Sequence, residues 1–168
     1  MGIANFLVEG VSATGKSTVC TELQRRGHHA IQGDRELAYQ GDPVTGDPTD
    51  GFTHEHHIWR VERVEALVAD RGHPITFFCG GSRNVARFID LFDSVFVLDV
   101  DADTLGRRLD ARAPDEWGGV PPERELVIRL HETQEDVPAH GIRIDATAPL
   151  ADVVDEIVAR ATAIAGRG

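Results

Sequence analysis

The sequence predicts an α/β protein, a three-layer α/β/α sandwich around a five-stranded parallel sheet. Short apolar runs alternate with segments of helical periodicity from one end of the chain to the other. Those runs are continuously apolar and do not alternate with polar residues, as strands covered on both faces require. The length, 168 residues, suits one domain with its own core, spanning 1–168.

The elements follow in order. "IANFLVE" (3–9) reads as a buried strand. From Ser17 to Arg26 the spacing of Val19, Cys20 and Leu23 predicts a helix, stopped by Gly27. "HHAIQ" (28–32) is a short second strand, and the stretch 36–52 ends in a loop crowded with Gly, Asp and Pro. Residues 54–70 return to helical spacing through Ile58, Val61, Val64, Leu67 and Val68. "ITFFC" (75–79) is the third strand, a short helix covers 84–91, and "SVFVLDV" (94–100) is the fourth strand. Helices over 103–112 and 122–137 flank a loop, and a final strand (141–146) and helix (149–165) close the chain. Right-handed crossovers bring the loops after the strands to one sheet edge, at 10–16, 33–52 and 80–83.

Composition narrows the function. Hydrophobic residues make up 41% and charged residues 27%, an ordinary globular balance. A net charge of −11 argues against a nucleic-acid polymer or an anionic membrane surface as partner. No apolar run nears the roughly 20 residues of a membrane span. The N-terminus lacks a basic region and a cleavage site, and Phe6 stands where a myristoylation signal needs Ser or Thr. Cys20 and Cys79 read as reduced, packed thiols. The expectation is a cytoplasmic monomer or homodimer.

The chain's single lysine, Lys16, lies in "GVSATGKST". Gly10 to Ser17 matches G-x-x-x-x-G-K-[ST], with a strand expected before it and a helix after. Gly10 and Gly15 free the backbone so that the N–H groups of Ser12, Ala13, Thr14, Gly15, Lys16, Ser17 and Thr18 can line an anion nest. Lys16 would reach the β- and γ-phosphates of ATP, and the Ser17 hydroxyl would ligate Mg²⁺. Arginine's planar fork would not fit the same nest, so lysine persists here in a chain that otherwise uses arginine.

Four further stretches, together with this P-loop, resemble the nucleoside monophosphate kinase-like group, which includes adenylate, shikimate and small antibiotic or sugar kinases. In "QGDRELAY" (32–39), Asp34 matches the aspartate that takes or orients the acceptor's hydroxyl proton in the alcohol kinases. Arg35 would bind an anionic group of the acceptor, although Leu37 stands where many adenylate kinases carry their arginine. In "CGGSRN" (79–84), Gly80 and Gly81 match backbone that approaches the acceptor, and Arg83 matches an arginine gripping its phosphate. Cys79 replaces the aspartate that holds Mg²⁺ through water, leaving Asp34 for the metal. In "DTLGRRLDAR" (103–112), Arg108 and Arg112 share one helix face and resemble the donor-phosphate clamp at the base of a lid over 113–122. In "RIDATAPLADVVDEI" (143–157), Thr147 and Ala148 would border the adenine.

Plainer roles stay open: Asp34 as a helix cap, Arg83 at a solvated helix start, Arg108 and Arg112 as a basic helix end. Tyr39 and Trp59 could stack on a ring-shaped acceptor from the region 34–71, or pack in the core. His54, His56 and His57 could hold zinc, but no known metal-enzyme signature accompanies them.

The resemblance implies an ATP- and Mg²⁺-dependent kinase of a small molecule, with a nucleoside or nucleotide acceptor first. A non-nucleotide alcohol, shikimate-, sugar acid- or antibiotic-like, is the rival. A non-catalytic ATP-binding regulator is third. The lack of the second lysine that N-K-x-D requires argues strongly against a GTPase switch.

Overall fold

A computed structural model describes residues 3–167. The core sheet has five strands in the order β2-β5-β1-β6-β7: β2 (His29–Gln32), β5 (Ile75–Cys79), β1 (Ala4–Glu9), β6 (Ser94–Asp99) and β7 (Ile142–Asp145). Every pair in it is parallel. Helices α1 (Lys16–Arg25), α3 (Val61–Ala69), α4 (Ala102–Asp110), α5 (Pro121–Thr133) and α6 (Leu150–Ala165) provide the outer layers. No helix among the described residues is long and apolar enough to cross a membrane.

β1 sits at the centre with all its residues buried. Its alternate side chains serve opposite layers. Phe6 and Val8 join Val19, Leu23, Phe77, Phe96, Val154 and Ile157 under α1 and α6. Leu7 joins Ile31, Trp59, Val64, Phe78, Phe88 and Phe92 on the other face. By the same alternation Glu9, two residues beyond Leu7, faces the Trp59 layer. Cys20 and Cys79 are both free and buried. A hydrogen bond from Cys20, then burial, pushes the Cys79 thiol well above its ordinary value.

The structure corrects the helix expected over 54–70. A 3₁₀ turn at His54–His56 leads into β4 (His57–Trp59), and α3 starts only at Val61. β4 pairs antiparallel with β3 (Ala38–Gln40), forming a small second sheet. Ile58, Val61 and Val64 lie three apart, which imitates a helix face, but tertiary contacts outrank that periodicity. Ile58 and Trp59 are fully buried, and the Asn84 side chain bonds both the N–H and the carbonyl of Trp59. The helix expected over 84–91 is likewise two 3₁₀ turns, Val85–Arg87 and Ile89–Leu91. A four-residue helix, α2 (Gly33–Glu36), opens the loop after β2.

Candidate active site

The strand-to-helix turn at 10–16 is folded as a nest. Gly10 has φ +152° and Gly15 φ +107°, and Ala13 takes the left-handed conformation at φ +70°. A Cβ on Gly10 would lie 2.6 Å from Thr14 Oγ1 and 2.7 Å from the Leu98 carbonyl, so only glycine fits. Thr14 braces the turn by donating to the Val11 carbonyl at 2.8 Å. Among the described residues, the N–H groups of Ser12, Ala13 and Gly15 are given to no other group. Lys16 Nζ folds over the turn and donates to the carbonyls of Gly10 (2.6 Å) and Val11 (3.1 Å). Burial depresses its pKa against the charges of Asp34 and Glu9. An anion cradled by free N–H groups beside this ammonium would satisfy both, so the residues present fit a polyphosphate.

Two arginines of α4 and its C-terminal edge close the same end. Arg108 donates to the carbonyls of Ala13, Thr14 and Ala146, at 3.2, 3.0 and 3.0 Å. Arg112 reaches Ser12 Oγ at 3.1 Å and also bonds the Trp117 carbonyl. Residues of the nest, Asp34, Phe52, His54, His57, Gly81, Arg83, Arg108, Arg112, Trp117, Asp136 and Ala148 all line one cavity of about 620 Å³.

The other end of that cavity is built from side chains. Asp34, in α2, extends beyond the carboxyl end of β2. Its Oδ1 accepts from His57 Nε2 (2.9 Å), Trp59 Nε1 (3.3 Å) and the Gly81 N–H (3.3 Å). Burial raises its pKa, but the hydrogen bond from His57 and the Lys16 charge outweigh this and hold it below the ordinary value. Gly33 and Gly80 permit this close approach. A Cβ on Gly80 (φ +145°) would lie 2.7 Å from Asp34 Oδ1 and 2.8 Å from the Trp59 ring.

Arg83 lies deeper and is paired within the chain. Its Nη1 contacts the Asp136 carboxylate, and Nη2 donates to the Asp136 carbonyl at 3.3 Å. Nη2 is 4.0 Å from Glu9 Oε1. Asp136 also accepts from His54 Nε2. The His54 ring stacks on Trp117, which meets Phe52 edge-on. Glu9 is 1% exposed, and neither of its carboxyl oxygens finds a hydrogen-bond partner among the described residues. Burial pushes its pKa up to about 8, against the pull of the Arg83 and Lys16 charges.

With this geometry in hand, comparison with known proteins is informative at the level of fold. No family model and no curated protein matches the chain. Solved structures do. A sugar kinase from Janibacter sp. HTCC2649 matches with TM-score 0.58 at 20% identity, over 94% of this chain and 93% of that one. A gluconokinase from Sinorhizobium meliloti 1021 gives 0.57 at 19%, over 98% and 94%. A shikimate kinase from Aquifex aeolicus gives 0.52 at 17%, over 98% and 99%. The chain has the P-loop kinase fold.

Within that fold, the sequence-derived candidates part company. Gly10, Ser12, Ala13, Thr14, Gly15, Lys16, Ser17, Thr18, Asp34, Gly81, Arg83, Arg108, Arg112 and Ala148 share the cavity wall. Gly80 supports Asp34 from behind. Arg35 lies instead in a shallow depression beside Ser17 and Gln32. Tyr39 is turned toward the neighbouring loop, its hydroxyl donating to the Gly46 carbonyl and Arg60 covering its ring. Trp59 is wholly buried and stacked on Phe88, so it is core and not a stacking surface. Thr147 Oγ1 accepts from the Asp101 N–H.

The three histidines diverge: His54 bonds Asp136, His57 bonds Asp34 and His56 bonds Thr49. Sequence reasoning missed Glu9, Phe52, Trp117 and Asp136 as parts of the site, and the bonds from His57 and Trp59 to Asp34. Glu9 alone carried a signal, a charged residue ending an otherwise apolar central strand.

Proposed function

We propose that this chain is an ATP-dependent kinase that transfers the γ-phosphoryl group to the hydroxyl of a small molecule. The observation that carries the reading is Asp34, a carboxylate fixed by three donors in the same cavity as the Lys16 nest. The N–H groups of the nest and Lys16 would hold the polyphosphate, and Arg108 and Arg112 would neutralise charge building on the transferred group. Ser17 would hold Mg²⁺, which would supply Lewis-acid polarisation of the phosphates when bound.

Asp34 would orient the acceptor hydroxyl. Its proton passes to Oδ2 late, as the acceptor oxygen bonds phosphorus and the bond to the departing ADP oxygen breaks. The depressed pKa suits this timing, because a weak base takes a proton only once the hydroxyl has become acidic. His57 and Trp59 hold the carboxylate in place through Oδ1, leaving Oδ2 for the substrate.

Sequence reading put a nucleoside or nucleotide acceptor first. The names of the structural neighbours, sugar kinase, gluconokinase and shikimate kinase, favour the rival, a non-nucleotide alcohol. ADP release from ATP and Mg²⁺, scored over a panel of alcohols and nucleotides, tests this. Stimulation by an alcohol, lost in Lys16→Ala and Asp34→Asn, supports the reading. ATP binding without stimulation by any acceptor would make the chain a non-catalytic nucleotide-binding regulator.

A further inference from the structure

We infer that the acceptor is an alcohol carrying no negative charge, seated with a ring face against Trp117 and Phe52. The inference rests on the kinase reading and specifies its substrate class. Its ground is the state of Arg83. The cavity's cations among the described residues are Lys16, Arg83, Arg108 and Arg112, and all but Arg83 bond the nest itself. An anionic acceptor therefore has only Arg83 to meet.

Arg83 is already charge-paired. Its Nη1 contacts the Asp136 carboxylate, its Nη2 donates to the Asp136 carbonyl, and its Nε is buried. An incoming acid would have to share Arg83 with the ionised Asp136, which His54 holds from its other side, and so place a second carboxylate beside the first. The pairing is durable: burial raises the Asp136 pKa, but the His54 hydrogen bond and the Arg83 charge outweigh it, keeping the carboxylate ionised. Asp34 adds a second negative charge to the same space. In a partly desolvated cavity, like charge at this range disfavours an anion strongly.

A neutral or cationic ligand meets none of these obstacles. What it meets is apolar. The Trp117 ring stands 5.8 Å from His54 and 5.7 Å from Phe52, centroid to centroid. Phe52 is 66% exposed, an aromatic surface that a bound ring would cover. Asp136 would then be a specificity-determining residue, an internal anion that occupies the site an acidic competitor needs.

The test uses one ring in three charge states: glucuronate, glucose and glucosamine. Each is titrated into the protein saturated with Mg²⁺ and a non-hydrolysable ATP analogue, with tryptophan fluorescence as readout. In the wild type, glucuronate should bind at least about tenfold more weakly than glucose or glucosamine, the cost of seating a carboxylate beside Asp136 and Asp34. In Asp136→Asn the freed Arg83 should strengthen glucuronate binding about tenfold, and Asp136→Asn/Arg83→Gln should abolish that gain.

Glucuronate binding the wild type as well as glucose would overturn the inference. So would an Asp136→Asn protein that melts normally and gains nothing for the acid, even if none of the three sugars binds the wild type. If Asp136→Asn does not fold, the order of the sugars on the wild type decides alone, and silence from all three counts against the ring seat. Failure of the ATP analogue to bind would sink the kinase reading itself. A preference for the acid with ATP binding intact would sink only this inference.

Discussion

The two ends of the cavity are made differently. The proposed donor end is a single turn of backbone, residues 10–16, whose N–H groups would do the binding and whose geometry two glycines permit. The proposed acceptor end is made of residues from distant parts of the chain, Glu9, Asp34, Phe52, His54, His57, Gly81, Arg83, Trp117 and Asp136, brought together only by the fold. A backbone site is specified by adjacent residues and tolerates most side-chain changes around it. A side-chain site depends on distant elements docking correctly, and can be retuned one residue at a time. The donor end should therefore fail all at once when its one ammonium is removed, and the acceptor end should fail by degrees.

The sharpest way to break that contrast is Lys16→Ala. Truncation removes the one flexible cation of the nest while leaving the N–H groups in place. Turnover measured by ADP release should fall about 10³-fold or more, with a native melting profile. A loss of only a few-fold would mean that the backbone alone carries the donor end.

Asp34→Asn should cost about 10²- to 10³-fold in kcat, with ATP affinity nearly kept. The amide can still receive a bond from His57 but cannot take the acceptor's proton. His57→Gln should cost less, because it loosens the carboxylate without removing it. The wild-type rate should hold down to pH values below the ordinary carboxylate range, since the Asp34 pKa is depressed. Wild-type turnover in Asp34→Asn would remove that residue from the mechanism.

These two residues also mark what the sequence disclosed. The parallel sheet was legible because its strands are unbroken apolar runs, and the nest because its residues are consecutive. Asp34 was legible by its place after the second strand. Its supports were not, because 54–59 reads as helix while Trp59 is fixed by Asn84 and by pairing with Ala38. The Arg83–Asp136 pair spans 53 residues in sequence and follows no spacing rule. Arg83 itself was found, but whether it faces a substrate or a partner inside the chain is decided by Asp136, which no local pattern singles out.

Glu9 allows a test that reads stability and not rate. The folded carboxyl keeps its proton up to about 8, where the ordinary value is 4.5. The native state therefore binds more protons than the unfolded chain between those limits. The stabilisation is complete below the lower one and is lost as pH rises through the upper. The melting temperature of the wild type should fall between pH 6 and pH 9 by roughly several degrees, and Glu9→Gln should flatten that slope. An unchanged slope in Glu9→Gln would show that Glu9 ionises freely, paired with Arg83.

The smallest expected effect concerns the join between the two ends. Trp117 belongs to the loop between α4 and α5, its carbonyl accepts from Arg112 on the proposed donor side, and its ring lies on His54 and Phe52 on the proposed acceptor side. Trp117→Ala keeps the carbonyl and loses the ring, so the donor end should be untouched and kcat should change only about two- to fivefold. The loss should appear instead in coupling. With the ring gone, water can enter beside the phosphates, and ADP release without acceptor should rise relative to release with it. Phosphorylated product and ADP, measured together, give that ratio. If product and ADP stay matched in Trp117→Ala, the ring seals nothing, and the two ends are joined through Arg112 and the Trp117 carbonyl alone.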